Sequence, residues 1–150
     1  MRKGRELQNL PVIETTRGKV LGTISALLVA DEHKLDGLYF LTEDRKTCFL
    51  PMERVVKIGR DAVFVQGGDE DFGLAKDSKP QTTTAAVVMT SSGRSMGTID
   101  DILLEEKEGN IVAYEVSDGH LMDILVGKRI VPVEDIISYG QDTVIVNREV

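Results

Sequence analysis

This amino-acid sequence repeats itself, and the repeat limits the folds that the chain can adopt. Residues 17–25 read RGKVLGTIS, and residues 92–100, 75 positions later, read SGRSMGTID. At this offset the residues shared with the second copy are Val12, Thr15, Gly18, Gly22, Thr23, Ile24, Leu28 and Tyr39. Six residues are then inserted in the second copy, and at an offset of 81 the shared residues are Pro51, Glu53, Gly59, Asp61, Val63 and Val65. The common order and spacing indicate a tandem duplication.

The duplication also sets the domain organisation. Each copy has roughly 60–65 residues, which is enough for a small core that is only marginally stable alone. Between the copies, residues 67–80 read GGDEDFGLAKDSKP, and their Gly, Asp and Pro content is typical of a linker. We therefore predict a first domain over residues 1–68, a linker over 69–80 and a second domain over 81–150.

Within each copy the pattern predicts mostly β-strands. Residues 61–66 and 142–147 alternate β-branched and polar residues, as a half-buried strand does. Pro51 and Pro132 should end strands, because proline cannot donate a ladder hydrogen bond, and a helical turn or bend should follow each. Residues 97–109 fit either a short helix or the first arm of a hairpin. We favour the hairpin, with a β-bulge near residues 25–26 and 100–101.

Composition and charge exclude several classes of protein. The net charge of −7 divides into −1 for residues 1–75 and −6 for residues 76–150. An acidic second half disfavours direct nucleic-acid binding, which requires clustered Lys and Arg, but suits a basic protein partner. No apolar run approaches the roughly 18 residues of a membrane helix. The single cysteine, Cys48, agrees with a reducing compartment, so we expect a cytoplasmic protein.

These motifs together resemble a known family. A strand, a turn ending in Gly, the triplet Gly-Thr-Ile, then Pro-x-Glu and Gly-x-Asp-x-Val-x-Val are similar to the PRC-barrel, a small β-barrel. That barrel is named for the H subunit of the photosynthetic reaction centre and also forms the C-terminal domain of the ribosome maturation factor RimM. The resemblance implies an all-β fold of two tandem PRC-type β-barrels joined by a short linker.

The resemblance also implies a class of function. Members of the family act in assembly or as adaptors by docking on larger partners, so it suggests a non-enzymatic protein-binding module. The contending interpretation is a RimM-like ribosome-assembly or RNA-processing factor that acts through a ribosomal protein. A third is an enzyme with a site in the cleft between the barrels. The family supplies no catalytic residues, and we expect no cofactor.

The residue types that commonly serve in chemical sites are better explained here by structural roles. Gly18 with Gly22, and Gly93 with Gly97, lack the Lys-Ser/Thr of a phosphate loop and are interpreted as tight turns. His33 and His120 have no Cys or His at ligand spacing, so we expect surface residues and no metal site. Cys48 should be a small buried hydrophobe.

Two sets of carboxylates are interpreted in the same way. Asp100, Asp101, Glu105, Glu106 and Glu108 lack the order of a Ca²⁺ loop and should form the solvated face of a hairpin. Glu53 and Glu134 recur in both copies, and each should cap a local turn rather than act in catalysis.

The insertion in the second copy is the candidate binding site. It falls within residues 119–131, which read GHLMDILVGKRIV, and it is unusually apolar for a loop. These residues either lengthen a strand pair or form an exposed patch for docking or homodimer formation. The predicted partner-binding residues are Leu121, Met122, Ile124, Leu125 and Val126.

Overall fold

The computed structural model describes residues 1–30, 33–67, 72–73, 86–118, 129–140 and 142–147. These residues form two compact units, the first containing residues 1–82 with 105–110 and the second containing residues 83–104 with 111–150. Both are built from β-strands and short 3-10 turns, so the predicted all-β class is confirmed.

The strands of the first unit are β1 (Arg2–Lys3), β2 (Pro11–Glu14), β3 (Lys19–Ala30), β4 (Lys34–Leu41), β5 (Thr47–Pro51), β6 (Val55–Ile58) and β7 (Val63–Val65). Those of the second unit are β8 (Val87–Thr90), β9 (Ser95–Leu104), β10 (Ile111–Ser117), β11 (Arg129–Pro132), β12 (Ile136–Tyr139) and β13 (Thr143–Val146). The 3-10 turns cover Gly4–Leu7, Met52–Arg54 and Val133–Asp135.

The two units have the same strand order. It is β5-β4-β3-β2-β7-β6 in the first and β11-β10-β9-β8-β13-β12 in the second. The pairs β2 with β7 and β8 with β13 are parallel, and the other neighbours in these orders are antiparallel. Pro51 and Pro132 end strands as predicted, and the 3-10 turn after each leads directly into the opposite edge strand. The same topology in both units confirms the duplication.

Both units also share their β-bulges. The ladder skips Leu21, Ser25, Asp36 and Val56 in the first unit, and Met96, Asp100, Val112 and Ile137 at the same places in the second. The bulge predicted near residues 25–26 and 100–101 is therefore confirmed. β9 spans much of the ambiguous segment 97–109, which is accordingly a hairpin arm and not a helix.

The strand pairing corrects part of the sequence alignment of the two copies. Val12 lies opposite Gly22, whereas the residue opposite Gly97 is Val88 and not Val87. Six residues separate the paired Ile13 and Val20, whereas five separate the paired Met89 and Ser95, so the matching of Val12 with Val87 was wrong by one position. The same shift affects the matched tyrosines, because Tyr39 pairs with Ala26 and Tyr114 with Ile102.

Each unit encloses an apolar core. Its members in the first unit include Val12, Ile24, Leu38, Phe40, Leu50, Ile58 and Val63. In the second unit they include Val88, Ile99, Tyr114, Val116, Val131 and Val144. At equivalent positions of β4 and β10, Leu38 and Phe40 are replaced by Tyr114 and Val116. A small and a large side chain have thus exchanged places.

The repeated glycines have two different roles. Gly18 and Gly93 adopt positive φ angles of 65° and 89° and form turns, as predicted. Gly22 and Gly97 lie inside strands, so interpreting them as turn residues was wrong. A Cβ atom at Gly22 would collide with the carbonyl oxygen of Leu41, and one at Gly97 with that of Ser117. Glycine is required there because two backbones approach closely.

Candidate functional site

The predicted partner-binding residues Leu121, Met122, Ile124, Leu125 and Val126 lie outside the described residues, as does His120. That patch therefore stays a prediction. The described residues contain a different apolar surface, which is present in both units.

This surface is a row of apolar side chains on the solvent face of each sheet. Along the first row, Ile13 is paired on one side with Val20 and on the other with Phe64. Lys57 lies opposite Phe64, and the bulged residue Val56 precedes it. The first row is defined as Val20, Ile13, Phe64 and Val56.

The second row repeats this arrangement. Met89 is paired with Ile145 on the neighbouring strand, and Ser138 lies opposite Ile145. The bulged residue Ile137 precedes Ser138. The second row is defined as Met89, Ile145 and Ile137.

In each row the bulged residue is strongly exposed to solvent. Ile137 is the most exposed member of the second row, and Val56 is second only to Val20 in the first. Val56 is 51% exposed and Ile137 is 59% exposed. A bulge redirects a side chain relative to the regular ladder. Because the bulge is retained in both units, it places a large apolar side chain in solvent twice. Contiguous exposed apolar side chains of this kind are typical of interaction surfaces.

The charged groups beside the two rows differ in sign. Arg54 and Lys57 border the first row, while the equivalent positions in the second unit are Asp135 and Ser138. Arg54 and Asp135 are equivalently placed, since the carbonyl of each accepts a hydrogen bond from the residue after the last strand, at 2.9 and 2.7 Å. Glu53 and Glu134 recur next to them, so the first row has two basic neighbours and one acidic neighbour, and the second row has two acidic neighbours.

Buried polar residues near the β2–β3 and β8–β9 turns have a structural role. In the first unit the backbone N–H groups of Thr16 and Arg17 donate to the carboxylate of Glu14, at 2.8 and 2.9 Å. These bonds, that from Arg17 above all, lower the pKa of Glu14. In the second unit the hydroxyl of Thr90 accepts from the N–H of Arg94 at 3.0 Å. Both residues cap a turn.

The acidic cluster of residues 100–108 divides into different roles. Glu105 caps its turn, accepting from the N–H groups of Asn110 and Glu108, which lower its pKa. Asp100, Glu106 and Glu108 are exposed. Asp101 is buried and its Oδ1 accepts from the N–H of Ile102 at 2.7 Å, so the prediction of a solvated face was wrong at this residue.

The remaining candidates do not converge on a reactive centre. Asp101 lies opposite Glu115, which is also buried, and neither lacks an interaction partner. Among the described residues, no three His, Cys, Asp or Glu side chains are grouped closely enough to hold a metal ion. Glu53 and Glu134 are exposed on the 3-10 turns. His33 is half-buried, which lowers its pKa.

A cavity of about 450 Å³ in the first unit includes Cys48 in its lining. Cys48 is buried opposite Phe40, as predicted for a small hydrophobic cysteine. The rings of Phe40 and Phe72 pack edge to face against each other, with centroids 5.7 Å apart. Lys19, Glu43, Asp44 and Lys46 also line the cavity, so its charges are of both signs.

Arg2 is the most buried cation among the described residues and also serves the fold. Its guanidinium donates to the carbonyls of Gly59 and Arg60 in the turn before β7. It also pairs with Glu6 and Glu106 at 3.6 and 3.8 Å. These bonds join the start of the chain to the rest of the first unit.

Comparison with known proteins identifies the family. The PRC-barrel domain model matches the chain twice, over residues 1–72 and 86–149. The chain belongs to the PRC-barrel family. The two matches cover both PRC-barrel units, so the chain is a tandem member. A search of curated proteins finds no match. No helix in the described part of the chain is long and apolar enough to cross a membrane.

The two rows could have been recognised in the sequence from apolar residues at the solvent-facing positions of two strands. The alternating pattern of these strands made those residues easy to overlook. The strands β7 and β13 read VFV and TVIV, which are apolar on both faces. Phe64 and Ile145 occupy the positions where simple alternation predicts a polar residue. An apolar residue at the solvent-facing position of a half-buried strand is therefore the signal to look for.

Proposed function

We propose that this protein is a non-enzymatic binding or assembly module that docks on a protein partner through its second PRC-barrel unit. The observation that carries the proposal is the second row, in which Ile137 is 59% and Ile145 is 37% exposed. The chain belongs to the PRC-barrel family, whose domains commonly mediate protein interactions or assembly, and this supports the same function.

Charge supports the choice of the second unit. Residues 76–150 carry a net charge of −6, and Asp135 is next to the strand that bears Ile137. Burying an apolar row stabilises a complex in proportion to its area. Acidic neighbours add selectivity for a basic surface and accelerate association. The partner is thus expected to present apolar side chains with basic neighbours.

The predicted patch formed by Leu121, Met122, Ile124, Leu125 and Val126 belongs to the same proposal. It is in the same half of the chain, and it would add apolar area to the same unit. The two surfaces are tested separately, because one substitution in each distinguishes them.

The test is capture of partners by the wild-type protein and by Ile137→Asp and Leu125→Asp. A charge at the centre of an interface is strongly unfavourable, so the true docking surface loses its partner. Melting temperature is measured alongside. Ile137 is exposed, so Ile137→Asp should keep the wild-type melting temperature.

Val56→Asp is the matched control, because it alters the equivalent bulge of the first unit. Identification of the captured protein also decides the RimM-like alternative, which requires a ribosomal protein. If both second-unit variants capture the same partners as the wild type, docking through the second unit is wrong.

A further inference from the structure

The two rows have the same register but neighbours of opposite charge. We propose that the second row of one molecule docks on the first row of another copy, so that the chain assembles head to tail. This inference rests on the proposed function and names the partner of the second unit. It also assigns a role to the exposed first row.

The two rows match in geometry. Ile13 and Met89 occupy equivalent positions, as do Phe64 and Ile145. The bulged residues Val56 and Ile137 complete the match. Each row therefore presents apolar side chains on the same backbone framework.

Charge then selects between the possible pairings. If two first rows met, Arg54 and Lys57 of one molecule would lie close to Arg54 and Lys57 of the other. If two second rows met, the two Asp135 residues would lie close together. Contact between a first and a second row places Arg54 near an acidic residue instead. Like charges across an interface are unfavourable and opposite charges favour binding, so the unlike pairing is selected.

This pairing is heterologous, because different surfaces of two copies meet. A pair of copies then keeps one unused first row and one unused second row, so further copies add and form open chains or rings. Rows of three or four side chains are smaller than the roughly 800 Å² per partner of a stable complex. We therefore expect weak association that depends on concentration.

The test exchanges the charges. Arg54→Asp and Asp135→Arg are made separately, and the average mass of each is measured by sedimentation from about 1 µM to about 1 mM, the range of weak complexes. Each single variant places like charges together in every head-to-tail contact. Its association should weaken by about tenfold, the scale of one important interface residue.

The decisive sample is an equimolar mixture of the two variants. In the mixture, the first row of the Arg54→Asp chain meets the second row of the Asp135→Arg chain, and the two charges are again opposite. The other contact, between the first row of the Asp135→Arg chain and the second row of the Arg54→Asp chain, has the original charges. Association should return to nearly the wild-type level. The double variant in one chain should also associate like the wild type, which separates a charge effect from damage to folding.

Apolar variants supply the second arm. Val56→Asp and Ile137→Asp should each reduce the average mass. Leu41→Ser is the matched control, because Leu41 is exposed outside the first row and its equivalent in the second unit is already Ser117. It should associate like the wild type.

Several outcomes would overturn this inference. A wild-type protein that is monomeric up to about 1 mM, or a mixture that associates no better than its components, contradicts head-to-tail assembly. The proposed function fails separately. A monomeric protein that still captures a partner through Ile137 refutes only the self-assembly, whereas unaltered capture by the second-unit variants refutes the docking surface.

Discussion

The first and second units share their strand order, their parallel strand pair and the places of four β-bulges, and they differ in the side chains on this framework. The same four positions are bulged, and β7 is parallel to β2 as β13 is to β8. Yet Glu14 caps a turn where the second unit has Thr90, and Leu38 and Phe40 become Tyr114 and Val116.

This contrast shows which structural constraints are strict. Backbone approach and register involve atoms that every residue carries, so only glycine satisfies the close contact at Gly22 and Gly97. A turn needs any suitable acceptor, and a core needs the right total volume. The copies have therefore diverged in side-chain chemistry while retaining their backbone geometry. The charges beside the two rows have also diverged, which is why we place function there.

The largest expected effect tests the strict constraint. Gly97→Ala should lower the free energy of unfolding of the second unit by about 4 kcal/mol, because it combines a backbone collision with an unfavourable φ of 121°. Gly22→Ala has only the collision and should cost about 2 kcal/mol. Urea unfolding followed by residue-resolved NMR distinguishes the two units.

The controls are Gly18→Ala and Gly93→Ala, where no atom lies within 4 Å of the added Cβ. Each should cost about 1 kcal/mol from its positive φ alone. If the strand glycines tolerate alanine as well as the turn glycines do, the close approach is not the reason for their repetition.

The second effect tests the exchange of core volumes. Phe40→Val introduces into the first unit the residue that the second unit has at the equivalent position. It should lower the free energy of unfolding by about 2 kcal/mol, because it leaves a cavity. Leu38→Phe alone should be destabilising by overpacking. The double variant should cost at least about 1 kcal/mol less than the sum. Additive costs in the double-mutant cycle would contradict the exchange.

Phenylalanine is chosen at position 38 rather than tyrosine for a physical reason. In the second unit, burial and the neighbouring Tyr139 raise the pKa of Tyr114, and the two rings pack 5.9 Å apart. The residue equivalent to Tyr139 in the first unit is Ile58. A hydroxyl at position 38 would therefore have no equivalent partner there.

A smaller effect distinguishes the two turns by pH. Because backbone N–H donors lower the pKa of Glu14, the folded state binds fewer protons than the unfolded state near that pKa. The resulting stabilisation is complete above the ordinary glutamate pKa of about 4.3, and it is lost as pH falls through the lowered folded value. Thr90 does not titrate, so its turn should be insensitive.

The measurement is an acid titration of amide chemical shifts. The amide chemical shifts of Thr16 and Arg17 should change together below the ordinary glutamate pKa, while the amide chemical shift of Arg94 should stay constant. Glu14→Gln, which keeps an acceptor but cannot titrate, is the control and should abolish the movement. Equal movement at Arg94 would mean that the two caps do not differ as described.

The smallest effect on stability is expected at exposed positions. Val20→Ser introduces the serine that the second unit has at the equivalent position, Ser95. It should change the free energy of unfolding by no more than about 0.5 kcal/mol. Because Val20 belongs to the first row, it should still weaken head-to-tail association. Sedimentation and thermal melting of the same sample test both parts, and a large loss of stability would mean that Val20 belongs to the core.

The amino-acid sequence alone is enough to predict the duplication, the strand-ending prolines, the bulge near Ser25 and Asp100 and the all-β class. These features depend on local chemistry, since proline lacks an N–H and the hydrophobic pattern repeats along the chain. Tertiary structure decided the one-residue register between Val12 and Val88, because a residue's partner across the sheet is not its neighbour in sequence. It also decided that Gly22 and Gly97 are contact residues rather than turn residues. The exposure of Ile145 and the half-buried position of Phe64 in two matching rows were decided in the same way, because exposure depends on which strands pack over each face.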